Sequence, residues 1–405
     1  MNDVSTRAAR GRRIAASSVA ASALALGLLA PACVRMTIQG GDVQGSFVIN
    51  ASQKRLTEER KNDLDLASGD LLDLETSFGN IEVAASGSPR AQLVTTVTVW
   101  AETEEEARRL MDATRVEIIK TDGTVAARVV TDADAAKVDR SRWSGKAGAS
   151  FRAMVPEGVR AKLVSSSGSI TTKGALANSE IRSSFGALAI RGLRGDLTAE
   201  TSSGSIALQD ITAKRIDAKT SFGSIECKEL HADDVSCITS SGRVSVAGGG
   251  RATYNLRSSF GAIDAERASG WVTAVTSSGK IDIEQFDGKV EATTSFGSVS
   301  LSGVFREVAA RSQSGSMQLH AKPGSRVEAP WVVDTQFGSV TAALPDGIAC
   351  DIDAETGFGR VSSSLQAEAE DRASKKRLTS KLGGGGPMVT LRSRSGSISL
   401  ERARK

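Results

Sequence analysis

The sequence predicts an all-β chain, a β-solenoid of about 13 coils of 18–19 residues with a small α+β cap insertion near the N-terminal end. Three observations carry this prediction: the composition, a repeated Ser/Gly-rich motif, and alternating apolar residues on both sides of that motif. Of the 405 residues only 4% are aromatic, whereas 40 are Gly. Such a composition favours β structure over a helical globular enzyme.

The repeated motif is typified by TSFGSIEC at residues 220–227, and its glycine recurs every 18 or 19 residues from Gly168 to Gly315. We expect a structural bend at Gly79, Gly168, Gly186, Gly204, Gly223, Gly242, Gly261, Gly279, Gly297 and Gly315, with further copies at Gly338, Gly359 and Gly396. A residue without Cβ takes a positive φ or allows close backbone stacking at a sharp corner. The glycine is therefore interpreted as structural.

Each side of the glycine carries the pattern of a short strand. The second and fourth residues after it are apolar, as Ile225 and Cys227, with polar Glu226 between them. Apolar or small residues also stand seven and five positions before it, as Val290 and Ala292. This alternation predicts two strands with one buried face each. One unit cannot bury that face alone, so the units are expected to stack into a rod of roughly 60 Å.

The residue directly before the glycine alternates between Phe and Ser. The alternating residues are Phe78, Ser167, Phe185, Ser203, Phe222, Ser241, Phe260, Ser278, Phe296 and Ser314. Strand parity predicts that they point inward together with the Thr or Ser three positions before the glycine. Large side chains over small ones would then interdigitate in the core. The alternation permits one or two units per turn, and we favour one unit per coil.

The N-terminus has the features of an export signal. Four Arg between residues 7 and 13 precede an apolar run at 14–30, and Cys33 follows small residues, as in a bacterial lipobox. We expect residues 1–32 to be a lipoprotein-type signal peptide and Cys33 to be lipidated. An ordinary cleaved signal, a retained anchor, and Sec or twin-arginine export stay open. Removing residues 1–32 leaves a net charge of +1, which gives no electrostatic case for nucleic acid.

Interruptions of the repeat divide the chain further. The predicted segments are a linker at 33–66, a first solenoid unit at 67–95, an α+β cap insertion at 96–160, repeats at 161–363, a charged insertion with a Gly linker at 364–386, and a final solenoid unit with its tail at 387–405. In the cap insertion Thr103 is the expected N-cap of a helix, with Glu106 completing a capping box. Strands are expected near residues 93–100, 116–119, 125–130 and 151–155. Residues 367–382 lean towards helix, and the final unit is expected to close the array.

Catalytic motifs and metal-binding spacings are missing from the sequence. We therefore expect no enzyme activity, no cofactor and no metal site. Cys227, Cys237 and Cys350 are interpreted as small buried hydrophobes, although pairing of Cys227 with Cys237 stays open. The densest acidic stretches, at 233–234 and 282–284, are expected to be solvated.

A row of serines two positions before the glycine is the candidate binding face. These residues are Ser184, Ser202, Ser221, Ser240, Ser259, Ser277 and Ser295. Pointing outward, their hydroxyls would meet an envelope protein or a glycan. An inert scaffold explains the same row equally well, because Ser also suits a crowded bend. An ice-binding face is disfavoured, because the Thr three before the glycine has the parity of the core.

The tandem TSSGSI and TSFGSI units, the segments VTVWAETEEEARRLMDA and VPEGVRAKLVSSSGSI, and the ending GGGGP to SGSISL resemble a bacterial exported family. It is the "putative adhesin" family, a domain of unknown function with a β-helix-like fold. The resemblance implies a lipid-anchored binding or scaffold module of the cell envelope, whether outer-membrane, periplasmic or surface-facing. It supplies no catalytic residues. The alternatives are a carbohydrate-active β-helix enzyme and a glycan- or ice-binding solenoid.

Overall fold

The structure, a computed structural model, describes residues 34–38, 45–49, 54–132, 146–365, 368–373 and 375–403. Within these ranges the chain is mostly β, with 31 strands and one helix. No helix in this part of the chain is long and apolar enough to cross a membrane. The predicted signal peptide at 1–32 and the predicted lipidation site Cys33 lie outside the described residues.

The elements follow one another in a single long series. The N-terminal strands are β1 (Val34–Ile38), β2 (Gly45–Ile49), β3 (Lys54–Leu64), β4 (Leu71–Phe78), β5 (Ile81–Ser86), β6 (Ala91–Ala101), β7 (Thr114–Thr121), β8 (Thr124–Thr131) and β9 (Lys146–Pro156), with helix α1 (Glu104–Asp112) between β6 and β7. The repeats contain β10 (Arg160–Ser167), β11 (Ile170–Lys173), β12 (Ser179–Ser183), β13 (Leu188–Arg191), β14 (Leu197–Thr201), β15 (Ile206–Lys219), β16 (Ile225–Thr239), β17 (Val244–Gly249), β18 (Arg251–Ser258), β19 (Ile263–Glu266), β20 (Ser269–Thr276), β21 (Ile281–Thr294), β22 (Val299–Ser312) and β23 (Met317–Ala321). The C-terminal strands are β24 (Trp331–Thr335), β25 (Val340–Leu344), β26 (Cys350–Thr356), β27 (Val361–Ser363), β28 (Glu368–Ala373), β29 (Arg377–Leu382), β30 (Met388–Ser393) and β31 (Ile398–Arg402).

The repeated units pair with one another through parallel strands. Ile206 pairs with Ile225, and Ile225 pairs in turn with Val244, so each residue meets its equivalent in the next unit. The offset of 19 residues is the length of one unit. One unit therefore forms one layer, and these strands do not show the alternative of two units per layer.

The predicted alternation of buried and exposed residues is present in these layers. Ile225 and Cys227 are fully buried, and Glu226 between them is exposed. The strands that precede a bend glycine also bury their apolar residues, as Val290 and Ala292 show before Gly297. One continuous apolar cluster runs from Leu64 to Leu400 through the stack. Each buried Val, Leu or Ile side chain contributes about 1.5–3 kcal/mol relative to exposure, so the layers stabilise one another.

The bend glycines, the 13 motif glycines from Gly79 to Gly396, are required by close stacking. A Cβ on Gly223 would lie 1.8 Å from the carbonyl oxygen of Gly204 in the layer below, and the corresponding distance is 1.8–2.2 Å in all 13 layers. Only Gly79 among them has a φ in the left-handed region, at 147°. The glycine is needed because no side chain fits between two layers at this corner.

A ladder of buried hydroxyls crosses the same corner. Thr220 Oγ1 donates to the carbonyl oxygen of Gly204 at 2.9 Å and accepts from the backbone N–H of Gly223 at 3.2 Å. The donating hydroxyls, one per layer, belong to Thr76, Ser165, Ser183, Thr201, Thr220, Thr239, Ser258, Thr276, Thr294, Ser312, Thr335, Ser393 and Thr356. These bonds satisfy backbone groups that the sharp bend takes out of the strand pairing. The Thr or Ser at this position is therefore structural, as its core parity predicts.

A second corner stands six residues after the bend glycine. Left-handed backbone recurs there at Gly174, Gly192, Asp210, Glu229, Gly248, Arg267 and Gln285. Four of these residues are not glycine, with φ between 51° and 53°. Such backbone is costly for a side-chain-bearing residue, so the stacked neighbours impose it.

The insertion after the first unit contains the predicted helix and strands. Thr103 caps α1, and the capping box with Glu106 is confirmed. The helix buries Ala107, Leu110 and Met111 in a small cluster with β6. Strands β8 and β9 then pair in parallel with β4 and β5, so the insertion adds a layer outside the first unit. Strand β6 pairs antiparallel with β3 and β9.

Two expectations about the C-terminal part are wrong. Residues 367–382 were expected to be helical, but the described part of this segment contains the strands β28 and β29, and β29 pairs antiparallel with β26. The open edge of β26 offers unpaired backbone groups, and satisfying them outweighs helix propensity. The final unit also does not close the array. Its β30 pairs with β24 on one side and with β26 on the other, so it is inserted between two earlier units.

Candidate functional site

The predicted serine row lies on the outside of the bend. Each of its seven serines is exposed or half-buried. Their backbones continue the layer-to-layer hydrogen bonds, since Ser221 N–H donates to Ser202 O and Ser240 N–H donates to Ser221 O, both at 3.2 Å. The backbone is thus held in place while the side chains meet solvent. The row is a regular, rigid and uncharged strip.

The phenylalanines before the glycine also point outward, which contradicts the predicted inward orientation. Phe185 and Phe222 are each 71% exposed, and Phe260 and Phe296 are each 68% exposed. The parity of the strand ends at the hydroxyl ladder, because Thr220 is buried and the two residues after it form the bend. Stacked glycine backbones then close the interior, so a ring has no space inside.

These rings form one ridge along the stack. The Phe ridge consists of Phe78, Phe185, Phe222, Phe260, Phe296, Phe337 and Phe358, and the Ser gaps between them are Ser167, Ser203, Ser241, Ser278, Ser314 and Ser395. Along the chain the alternation fails after Phe337, because Phe358 comes next. In space it does not fail, since Gly396 stacks on Gly338 and Gly359 stacks on Gly396. The order of layers is therefore Phe337, Ser395, Phe358, and Phe alternates with Ser through all 13 layers.

In the seven layers of the serine row, charges stand beside this face rather than on it. Most residues directly after the bend glycine are Ser or Ala, but three are Arg243, Lys280 and Arg360. Arg243 pairs with Asp264 at 3.4 Å, and Lys280 forms a short ion pair with Asp282. At the end of the ridge, Lys376 Nζ lies 5.8 Å from the ring centre of Phe358, within cation–π range. The central part of the face is consequently apolar and hydroxylic.

Two acidic residues occupy equivalent positions in adjacent layers. Asp264 pairs in register with Asp282. Partial burial raises the pKa of Asp264 above its ordinary value of 3.8, Arg243 opposes this rise, and Asp282 adds to it. Both carboxylates have cationic partners, so they form an ion-paired array beside the face. Among the described residues no group of three or more His, Cys, Asp or Glu is arranged to hold a metal ion.

The inner cysteines lie away from this face. Cys227 and Cys237 are free and fully buried, with their Sγ atoms 3.5 Å apart. The pKa of Cys227 is raised, mainly by the hydrogen bond with Cys237 and secondly by burial. Cys350 is also free and buried, and burial raises its pKa to about 11. All three cysteines are thus free, buried core side chains, in agreement with their interpretation as small hydrophobes.

A groove around Trp271 is a second surface feature, which the sequence analysis did not identify. It has a volume of about 840 Å³, and Trp271, which is 51% exposed, is one of its lining residues. Its charged lining residues are Asp233, Arg251, Asp287, Lys289, Arg306 and Glu328. Strand alternation in the sequence could have revealed this residue. Trp271 stands next to Val272, which faces inward, and the Trp271 ring therefore faces outward.

The geometry first defines a class: a mostly β repeat protein whose bends present a regular outward face. The family model Toastrack DUF4097 matches residues 162–401, more than half of the chain. The chain therefore belongs to the Toastrack DUF4097 family. This match confirms the family resemblance predicted from the tandem TSSGSI and TSFGSI units.

Several solved structures are similar to this chain. A "putative cell adhesion protein" from Clostridium sporogenes is 10% identical, covering 86% of this chain and 100% of its own, with a TM-score of 0.19. A "putative adhesin" from Parabacteroides distasonis is 10% identical, covering 85% and 97%, with a TM-score of 0.26. A "putative adhesin" from Bacteroides fragilis is 12% identical, covering 85% and 97%, with a TM-score of 0.19. No curated protein matches the chain.

Proposed function

We propose that this chain is an exported module of the bacterial cell envelope that acts by binding or as a scaffold, without catalysis. We also propose that its repeats form a β-solenoid with one unit per coil. The parallel pairing of each unit with the next supports the solenoid. The observation that carries the function is the face formed by the Phe ridge and the serine row. The alternation of Phe and Ser runs through 13 layers, and the serine row through seven of them, in a chain that belongs to the Toastrack DUF4097 family.

The face combines exposed aromatic rings with a fixed backbone, a combination that is unusual for a surface that only contacts solvent. A soluble monomer rarely exposes a contiguous apolar patch larger than a few hundred Å². Here four central rings are 68–71% exposed, and their backbones are fixed by the hydroxyl ladder. A fixed backbone lowers the entropy that binding would otherwise cost. A rigid apolar strip between rows of hydroxyls suits recognition of an envelope protein or a glycan.

Binding is tested by capture from envelope extracts and by a glycan array, using the full-length chain. We expect Ser202→Lys, Ser240→Lys and Ser277→Lys together to abolish capture, because three cations would be placed beside the ridge. Ile119→Ser, which removes an exposed apolar side chain outside both the ridge and the Trp271 groove, is the control and should retain capture. If the triple variant captures the same partner as the parent chain, the face is not the binding site.

The envelope anchor is proposed at Cys33 and is tested separately. Radiolabelled palmitate should be incorporated into the parent chain and not into Cys33→Ala. Labelling that survives this substitution would refute the lipid anchor without touching the binding proposal.

A glycan site at the Trp271 groove is the second candidate function, because an exposed indole beside mixed charges suits a sugar ring. Trp271→Ala should then reduce oligosaccharide binding in calorimetry, whereas Phe222→Ala should not. Release of new reducing ends during incubation would show that the alternative, a carbohydrate-active enzyme, is correct and that the proposed non-catalytic role is wrong.

A further inference from the structure

We propose that the Phe ridge docks onto the Phe ridge of a second copy of this chain, with the two stacks antiparallel and the rings of each filling the Ser gaps of the other. The inference rests on the binding face proposed above and names its partner. The observation behind it is the strict alternation in stacking order, which chain order breaks and the inserted final unit restores.

The spacing of the rings suits interdigitation. Adjacent layers are about 4.8 Å apart, so rings in alternate layers stand about 9.6 Å apart with a serine between them. A ring inserted at the serine level would lie about 4.8 Å from each neighbour, within the separation that favours aromatic pairs. The intervening residues, Ser203, Ser241 and Ser278, are exposed and small, so the gap is open.

Symmetry selects the antiparallel arrangement. A two-fold axis perpendicular to the stack and midway between two layers places every Phe level with a Ser of the other copy. A two-fold axis along the stack would instead place ring against ring at each level. The perpendicular axis gives a closed, isologous dimer, the commonest form of soluble oligomer. With that axis between the Gly242 and Gly261 layers, Arg243 would face Ala262 of the second copy, so no cations oppose each other.

The area of the ridge is that of a stable interface. The five rings from Phe185 to Phe337 are 57–71% exposed. At about 200 Å² for a complete ring, they present roughly 700 Å² per molecule. The serine row beside them raises the total towards the ~800 Å² per partner of a standard interface. Burying it would remove the largest apolar surface feature that we identify on the described chain.

The Ser gaps distinguish a second copy from other occupants. A lipid surface or a flat sugar ring would bind as well or better if Phe stood in every layer. Only a partner that inserts matching projections needs the gaps, and the same row on another copy supplies them at the same spacing. A second copy is therefore the occupant that the alternation favours.

The first test is the mass in solution of the full-length chain, measured by sedimentation and light scattering over a concentration series. We expect a dimer for the parent chain, and at least a tenfold weaker dimer for Phe222→Ser, Phe260→Ser and Phe296→Ser together. Ile119→Ser, which removes an apolar side chain that is 54% exposed outside the ridge, should leave the dimer unchanged. All variants carry the same N-terminal segment, so its association cancels in the comparison.

The second test fills the gaps. Ser241→Phe with Ser278→Phe adds apolar surface but removes the space for incoming rings, so we expect a weaker dimer, with unchanged circular dichroism confirming the fold. Stronger association of this variant would overturn the interdigitated interface, as would a parent chain that stays monomeric at every concentration. If the chain is monomeric yet the capture experiment still depends on Ser202, Ser240 and Ser277, the binding function stands and only its partner is wrong.

Discussion

The bend glycine is the single residue on which layer spacing depends most. At Gly223 an added methyl group would overlap the carbonyl oxygen of Gly204, which belongs to the backbone and cannot move aside as a flexible side chain can. We predict that Gly223→Ala lowers the free energy of unfolding by about 3 kcal/mol, because the layers must separate to admit it. Denaturant titration with circular dichroism measures this.

Gly87→Ala is the matched control for that substitution. A Cβ at Gly87 would meet nothing within 4 Å, so we expect a change within about 0.5 kcal/mol. Equal effects of the two substitutions would show that helical or strand propensity, rather than stacking, explains the glycine requirement.

Asp264 gives stability a dependence on pH. Its raised pKa means that the folded chain holds this proton more tightly than the unfolded chain, whose ordinary value is 3.8. The ionised carboxylate therefore costs stability above the folded pKa, and that cost disappears as the pH falls towards 3.8. We predict that Asp264→Asn raises the melting temperature at pH 7 and that its advantage over the parent chain vanishes near pH 4. An advantage that grows on acidification would contradict the assigned cause.

At the residue scale, strand parity predicts the orientation of a side chain correctly only within the regular strands. It correctly predicted Thr220 and Ile225 as inward because both belong to regular strands. It failed at Phe222, because the two residues between the hydroxyl ladder and the glycine follow bend geometry instead. The ladder itself, in which Thr220 bonds the glycine of another layer, could not be predicted without knowing which backbone atoms stacking brings together.

At the scale of single elements, helix α1 is the best predicted, because its signals are local. Thr103 and Glu106 bond each other's backbone N–H groups within one turn. We predict that Thr103→Ala destabilises the helix by about 1 kcal/mol, whereas Thr103→Ser does not. Amide hydrogen exchange at residues 104–112 measures this locally, which suits a repeat protein whose layers need not unfold together. Unchanged exchange in Thr103→Ala would show that packing against β6 alone maintains the helix.

Elements whose state depends on distant partners were not predictable in this way. Residues 377–382 have no β pattern strong enough to outweigh their charge, yet they form β29 because the edge of β26 lies beside them. The left-handed corner at Glu229 likewise cannot be recognised from the sequence, because glycine stands at the equivalent position in only some layers. In both cases the neighbouring layer decides the backbone conformation.

At the scale of the whole molecule, the order of layers differs from the order of the chain. The spacing of the repeats predicted how units stack but implied that the last unit in sequence is last in space. The structure instead inserts β30 between β24 and β26. No local sequence pattern predicts this insertion. The only sign of it in the sequence is that the alternation of Phe and Ser breaks after Phe337.

This insertion predicts an unusual response to truncation. A chain ending at residue 386 loses β30 and β31, and with them the parallel partner of β26 on one side and of β24 on the other. We therefore expect residues 350–356 and 377–382 to lose hydrogen-exchange protection and become sensitive to protease, while β15 to β22 stay protected. A chain ending at Arg402 is the control and should retain all its protection, since it keeps both strands. If β26 stays protected in the shorter chain, β26 has paired directly with β24, and the final unit is then dispensable for the layer that follows it in space.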